Sequence, residues 1–520
     1  MRSSTLLFCK SFWIILFLSF GISNFSHAQA YNTGDLICLH KILDDNPDHT
    51  IDWDLSDPTR LRNVIWKNIG GEYRVTSLIL RDESLTSLDV TNLTELLTLE
   101  CYRNEIAALD VTQNIKLRKL DCSTNALDSL NLKQNPSLYY ISCTQNNIEQ
   151  LDVTQNPSLD YLKCSHNPIS VLDVTKNPTL YELSCASVQI TELDLSQNTE
   201  LVRLSINYNK MDSIDLSTNI SLTYFDCMST LFKNLDLSNN PLLINVDCSG
   251  NQLSSLDLTN NVSLKVLYCQ NNQLETLIVD KCTLLTGLTC STNKLTELDL
   301  STNIALTALY CQTNELTSLI VSTNKVLTTL YCPNNQLSFM NMESTVMSGT
   351  SFNRFPQDSL FSEQNLTLGE TIDFSAENEA KGRSVTFDWY KVDPNGDLLQ
   401  KSNTTGIFKP TSNGQYYAKM THSYFAEVDY LISHKITVGQ ITSIDSYFEA
   451  STIIYPNVTN SEININSDES IKSITVLSSN GMVMLETTDL RINVRDLPEG
   501  LYLVKIELPN SITTRKFIKK

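Results

Sequence analysis

Cysteine recurs at Cys101, Cys122, Cys143, Cys164, Cys185, Cys227, Cys248, Cys269, Cys290, Cys311 and Cys332. Every gap is 21 residues except one of 42, and the skipped position holds Ile206. A single period kept through about half of the chain restricts it to a stack of similar short turns, each resting on its neighbours. Such a solenoid serves more often as a binding surface than as a reaction vessel.

The repeating unit is L-x-x-L-x-C-x-x-N-x-L-x-x-L-D-(V/L)-(S/T)-x-N-x-x, seen in full from Leu96 through Leu99, Cys101, Asn104, Ile106, Leu109, Asp110 and Val111 to Asn114. Twelve copies carry the cysteine column or Ile206, and a degenerate copy precedes them at Val75, Leu78 and Leu80. L-x-C and L-x-V alternate with a period of two, so each is a short strand with every second side chain turned inward. No copy buries its own apolar face. Stacked at roughly 4.8 Å, the strands pair in parallel and their leucine, valine and cysteine columns merge into one core. Two such segments per turn predict sheets on both faces and little helix.

The pattern resembles the leucine-rich repeat family, in a short bacterial form, over residues 75–345. Neighbouring ladder cysteines point the same way at strand spacing, beyond the Cβ separation of ~3.8 Å that a disulfide prefers. They are expected to be small buried apolar residues. No second ligand type alternates with them, so no metal stack is expected. Cys282 stands apart, at a turn, as a thiol that is either reactive or merely tolerated.

Two asparagine ladders run beside the core. One is Asn104, Asn125, Asn146, Asn167, Asn209, Asn251, Asn272, Asn293, Asn314 and Asn335, broken by Val188 and Thr230. The other is Asn114, Asn135, Asn156, Asn177, Asn198, Asn219, Asn240, Asn261, Asn303 and Asn324, interrupted by Cys282. Both are expected to satisfy backbone groups at turns. A column of aspartates runs from Asp152 through Asp173, Asp194, Asp215 and Asp236 to Asp257, with Asp89, Asp110 and Asp299 outside it. Stacked carboxylates repel, so each is expected to bond the Ser or Thr that follows; gathered calcium ions are the alternative.

The ends set the compartment. Arg2 and Lys10, the apolar run Phe12 to Phe20 and then Ala28-Gln29-Ala30 make residues 1–30 a secretory signal peptide. No later stretch is long and apolar enough to span a membrane. Residues 31–74, with Cys38, Trp53 and Trp66, are expected to cap the first repeat. Near the other end come Tyr455-Pro456-Asn457, a strand Ile471–Leu477, a turn Ser479-Asn480-Gly481, a return strand Met482–Leu485, the segment Leu497-Pro498-Glu499-Gly500-Leu501-Tyr502 before a strand Leu503–Ile506, and a basic finish at Arg515-Lys516-Phe517-Ile518-Lys519-Lys520. Residues 447–520 thereby resemble the type A C-terminal sorting domain of Bacteroidetes type IX secretion. The resemblance implies contact with that secretion machinery, passage across the outer membrane, and anchoring on the surface or release.

Between 353 and 440 the period stops. Trp389 follows Val385-Thr386-Phe387, and Ser412-Asn413-Gly414-Gln415-Tyr416-Tyr417-Ala418 comes later. This resembles the core tryptophan and tyrosine corner of immunoglobulin-like sandwiches, with Ala418 where a disulfide cysteine is expected. Asp393-Pro394-Asn395-Gly396-Asp397 lacks calcium-loop spacing and is expected to be a hairpin turn. The expected fold class is mainly β: a solenoid of 21-residue repeats, an immunoglobulin-like β-sandwich and a small C-terminal β-sandwich.

With 58 acidic and 38 basic residues the chain carries a net charge of −20, which argues against nucleic acid. No H-E-x-x-H, no G-x-S-x-G and no phosphate-cradling glycine loop is present. Cys164-Ser165-His166 resembles a dyad only on paper, since alternation turns Cys164 inward and His166 outward. No enzyme, cofactor or metal is expected. What remains is the outward side of the L-x-C strands. There Tyr140, Tyr161 and Tyr224 form one column, Tyr268, Tyr310 and Tyr331 another, and Tyr102 lies just past its cysteine. Tyrosines give large contact area at low entropic cost, so these six and their neighbour are the candidate partner-binding residues of the concave face. The arrangement looks like internalin-type adhesins, which implies a protein partner. Carbohydrate capture by the same rings and a passive surface or matrix role are the alternatives.

Overall fold

The computed structural model describes residues 30–338, 341, 351–353, 357–359, 364–380, 383–394, 396–422, 430–439, 452–455, 458–459, 461–467, 470–478, 482–509 and 512–520. The signal peptide, Pro456-Asn457, Ser479-Asn480-Gly481 and Asn395 lie outside the described residues.

The first element of the described residues is a helix, Thr33–Asp45, started by Asn32, whose side chain accepts from the Asp35 amide. A hairpin of Val64–Ile69 and Glu72–Ile79 follows. Asp35 is wholly buried where helix meets hairpin. It accepts from Val75 N–H at 2.7 Å and takes the Arg74 guanidinium at 3.0 and 2.9 Å. Cys38, Leu39 and Ile42 close the apolar end of the stack.

From Glu72–Ile79 onward each repeat adds one short parallel strand, beginning with Thr98–Glu100 and reaching Thr329–Tyr331. The register advances by one repeat at every step, so Leu99 faces Leu120, Leu183 faces Leu204 and Leu309 faces Leu330. The result is one sheet of 15 strands over a continuous apolar core. All thirteen cysteines among the described residues are free and buried. Burial pushes the ladder thiols up, to about 12 at Cys143, Cys185 and Cys290.

Sheets were expected on both faces, and the second face is much the sparser. Among the described residues it pairs only as Leu88–Asp89 with Leu109–Asp110 and as Ser255–Asp257 with Thr276–Ile278. The aspartate column runs along this face, and its turns occur in paired segments, at Asp89, Asp110 and Asp257, as well as in unpaired ones. Asp152 and Asp173 each accept from the amide and hydroxyl of the Thr two residues on, which turns the chain straight after the L-D segment. The same local bond recurs at Asp194, Asp215, Asp236 and Asp257. These bonds hold the carboxyls below their ordinary value.

The asparagine ladders stitch turn to turn. In the first, Asn146 donates to the carbonyls of Cys122 and Cys143 at 3.0 Å each and accepts from Leu127 N–H. At the break, Thr230 donates to Cys227 O or to Asn251 Oδ1 in place of an amide. In the second, Asn219 donates to Leu195 O at 3.1 Å and Asn198 O at 2.9 Å. Every Oδ1 of that second ladder is buried with no hydrogen-bond partner. Cys282 occupies the same socket, wholly buried, with its thiol against Leu258 O at 3.5 Å and Asn261 O at 3.6 Å. Burial lifts that thiol to about 11, so the cysteine is a substitute donor and not a reactive group.

Sheet pairing continues past 345. Ser351–Asn353 pairs in parallel with Thr329–Tyr331 at an offset one residue longer than the repeat. Gln357 then takes the next ladder position, donating to Cys332 O at 2.9 Å and accepting from Leu337 N–H at 3.1 Å. A longer amide spans the extra residue and ends the ladder with its bonds filled.

The middle β unit centres on Arg383–Lys391 and Gly414–His422, paired antiparallel. Trp389 is fully buried against Phe374, Phe387 and Phe408 at 5.2–6.1 Å between ring centroids. Tyr416 donates its hydroxyl to Ser412 O at 2.7 Å, the backward bond of a tyrosine corner. Arg383–Lys391 also pairs antiparallel with Leu398–Asn403, the strand after the Asp393 to Asp397 turn. The C-terminal unit has its own core. Its main sheet contains Ser473–Ser478, Val483–Thr487, Gly500–Glu507 and Ile512–Lys519. Tyr502 stacks on Phe517 at 5.3 Å and donates to Pro498 O.

Candidate recognition surface

On the outward side of the long sheet two side chains per strand face solvent, one on each side of the central leucine. Parallel register lines them up at roughly 4.8 Å into two columns. One reads Lys119, Tyr140, Tyr161, Glu182, Arg203, Tyr224, Asn245, Val266, Gly287, Ala308 and Thr329. The other reads Asp121, Ser142, Lys163, Ser184, Ser205, Asp226, Asp247, Tyr268, Thr289, Tyr310 and Tyr331.

The six column tyrosines therefore share this side of the sheet, but they form two groups. Tyr140, Tyr161 and Tyr224 are half-buried. Tyr140 lies 6.0 Å from Tyr161, which lies 5.6 Å from Tyr181. Lys119 sits 5.2 Å over Tyr140 and pairs with Glu100 at 2.7 Å. Arg203 sits 4.4 Å over Tyr224 and pairs with Glu182 at 3.8 Å. Arg81 covers Tyr102 at 5.5 Å and reaches Glu100 at 3.2 Å. Tyr102, Tyr140 and Tyr224 are thus already engaged by the chain's own cations, and Tyr161 by its neighbouring rings. Burial raises the Tyr140 and Tyr224 hydroxyls, Asp121 and Asp226 adding to the effect.

The second group is open. Tyr268, Tyr310 and Tyr331 are 43%, 38% and 36% exposed. Tyr310 and Tyr331 are 6.3 Å apart and tilted. Beside them run Val266, Gly287, Ala308 and Thr329, a strip without a charge. Protruding rings along a smooth strip offer apolar area and hydroxyl donors to something laid across the strands.

Tyr139 and Tyr181 had escaped the sequence argument. Strict alternation turns the residue two before the strand leucine inward. The strands begin only one residue before it, however, so that position belongs to the turn, and these rings are 40% and 41% exposed. The Cys164-Ser165-His166 cluster makes no dyad. Cys164 is fully buried with its thiol raised, and His166 lies exposed in a left-handed turn at φ 56°. No group of three or more His, Cys, Asp or Glu residues fit to hold a metal occurs among the described residues.

Residues 453–520 match the family described as a secretion system C-terminal sorting domain. Among solved structures, the functional domain of InlJ from Listeria monocytogenes, which includes a cysteine ladder, is 28% identical, with a TM-score of 0.51 over 70% of this chain and 90% of that one. A leucine-rich repeat protein of Leptospira interrogans is 21% identical over 54% of this chain and 83% of its own, with a TM-score of 0.46. YopM from Yersinia enterocolitica is 22% identical over 54% of this chain and 68% of its own, with a TM-score of 0.40. No curated protein matches the chain. No helix among the described residues is long and apolar enough to cross a membrane. The cysteine ladder, the repeat sheet and the C-terminal module together make this an internalin-like leucine-rich repeat protein, exported by type IX secretion to the outer surface or beyond it.

Proposed function

We propose that the chain is a non-enzymatic, adhesin-like binding protein that takes a protein partner on the outward side of its long sheet. The observation that carries this is the open row Tyr268, Tyr310 and Tyr331 beside Val266, Gly287 and Ala308. Exposed rings on a rigid sheet lose little entropy on binding, and solenoid faces are common contact surfaces. The middle β unit serves as a spacer, and the C-terminal unit directs export.

The test compares the purified chain with its Tyr268→Ala, Tyr310→Ala, Tyr331→Ala variant. Binding to cell-surface protein extracts is measured by surface plasmon resonance, alongside a glycan array. Saturable protein binding that falls at least tenfold in the variant supports the reading. Binding confined to glycans moves the function to carbohydrate capture. No saturable binding, or equal binding by the variant, removes the tyrosines from recognition and leaves a passive surface role.

A further inference from the structure

Three tyrosines on the first half of the sheet face follow one rule, from which Tyr161 departs. A lysine or arginine lies between a carboxylate and a tyrosine: Lys119 between Glu100 and Tyr140, Arg203 between Glu182 and Tyr224, Arg81 between Glu100 and Tyr102. Three separate places therefore solve the same problem, and each uses a cation that touches both acid and ring.

From Tyr224 onward the rule loses its cation. Asp226, Asp247 and Tyr268 are successive in-register neighbours, so two carboxylates and a ring stand side by side at strand spacing. The two outward columns hold no lysine or arginine from Tyr224 to Tyr331. Among the described residues no ion pair reaches either carboxylate. Their bonds are neutral ones: Met228 N–H and the Ser205 hydroxyl on Asp226, and the amide and hydroxyl of Ser249 on Asp247. Each acid therefore keeps acceptor capacity for a cation. Like charges facing each other across strands destabilise a sheet. Glu100 also faces Asp121, but there Arg81 and Lys119 pair with Glu100, an offset that Asp226 and Asp247 lack among the described residues. Burial and the charge of Asp247 raise the Asp226 carboxyl, against the pull of the Met228 amide. Tyr268 is the most exposed of the six column tyrosines, and no cation among the described residues lies over its ring.

We infer that the step Asp226, Asp247 and Tyr268 seats a lysine or arginine side chain of the protein partner, which supplies the cation that this chain supplies to itself at the three earlier steps. The inference rests on the proposed binding role of the sheet face. The head group meets the carboxylates, and its planar or aliphatic part lies on the Tyr268 ring. The rest of the partner segment runs over the uncharged strip toward Tyr310 and Tyr331. A net charge of −20 draws basic partners toward the chain, and this step gives that attraction a fixed address.

The probe is a random dodecapeptide library displayed on phage, panned on the immobilised full chain. Selected peptides are synthesised and their affinities measured against the wild-type chain, Asp226→Asn/Asp247→Asn, and Tyr310→Ala/Tyr331→Ala. Asparagine keeps an Oδ1 acceptor for the Met228 and Ser249 amides, so the fold is retained, with circular dichroism as control. The expected result is enrichment of Lys or Arg over the library, with affinity falling about tenfold or more in both variants. Peptides that need Tyr310 and Tyr331 but are not enriched in Lys or Arg, or that bind the asparagine variant unchanged, overturn the cation seat while the sheet face stands. Wild-type binding that vanishes with EDTA assigns the carboxylates to a divalent ion and also overturns it. Peptides indifferent to both variants, or no selection above background, overturn the seat and the sheet-face reading together.

Discussion

Asn219 offers a quantitative test of what holds the stack together. Its amide is wholly buried and donates to two carbonyls of the preceding repeat, Leu195 O at 3.1 Å and Asn198 O at 2.9 Å. Asn219→Ala removes the second donor of each oxygen, while the Asn198 and Leu201 amides still bond them, at about 0.5–1.5 kcal/mol each. The lost Oδ1 returns a little, because it has no partner in the native chain. The net cost is about 2 kcal/mol, or a roughly thirtyfold fall in local hydrogen-exchange protection. Asn219→Cys reproduces the natural arrangement at Cys282, where one thiol serves two carbonyls at 3.5 and 3.6 Å. It should cost about half as much as alanine, since a weak donor still faces the oxygens. Amide exchange read by mass spectrometry over 195–222 measures both variants, and segments far along the solenoid serve as the reference. Native protection in the alanine variant, or a cysteine variant as damaged as alanine, would refute the idea that this ladder is a column of shared donors.

Three further outcomes are expected. The ladder thiols should resist alkylation in the native chain and react together on unfolding, because burial both shields them and lifts them to about 12 at Cys143, Cys185 and Cys290; labelling counted by mass spectrometry checks this. Asp35→Ala should cost about 3–5 kcal/mol by leaving Arg74 without its buried partner, with faster exchange confined to the first repeats. Folding holds the column carboxyls Asp152, Asp173 and Asp257 below their ordinary value, so the unfolded chain binds their protons first. Their stabilisation is present above about pH 4 and is lost as pH falls through the lowered native values; replacing all three with Asn should flatten the acid side of a urea-midpoint profile.

The solenoid was legible because its constraint is arithmetic. A 21-residue period fixes which columns merge, and leucine and cysteine at those positions are buried as alternation requires. The local role of the aspartates was legible too, since Asp followed two residues later by Ser or Thr is a turn signal. Other features depend on where strands stop. Among the described residues the second face pairs only at its two short ladders, which a two-residue alternation does not report. Gln357 escaped notice because one inserted residue moves it off the period and a longer side chain replaces asparagine. The division of the tyrosines into engaged and open groups depends on Lys119 and Arg203 reaching across one repeat to the ring that follows in the same column, a contact between repeats that the repeat pattern does not display.

The central claim is that recognition occurs on the tyrosine side of the long sheet. Its most direct test is site-specific photocrosslinking, with p-benzoylphenylalanine placed in turn at Tyr268, Tyr310 and Tyr331 and, on the opposite side, at Asp257 and Asp299. Each chain is irradiated with cell-surface protein extract. The account predicts a common adduct at the three tyrosine positions, competed by unlabelled wild-type chain, and none at the two aspartates. Adducts at Asp257 or Asp299 with none at the tyrosines would contradict it.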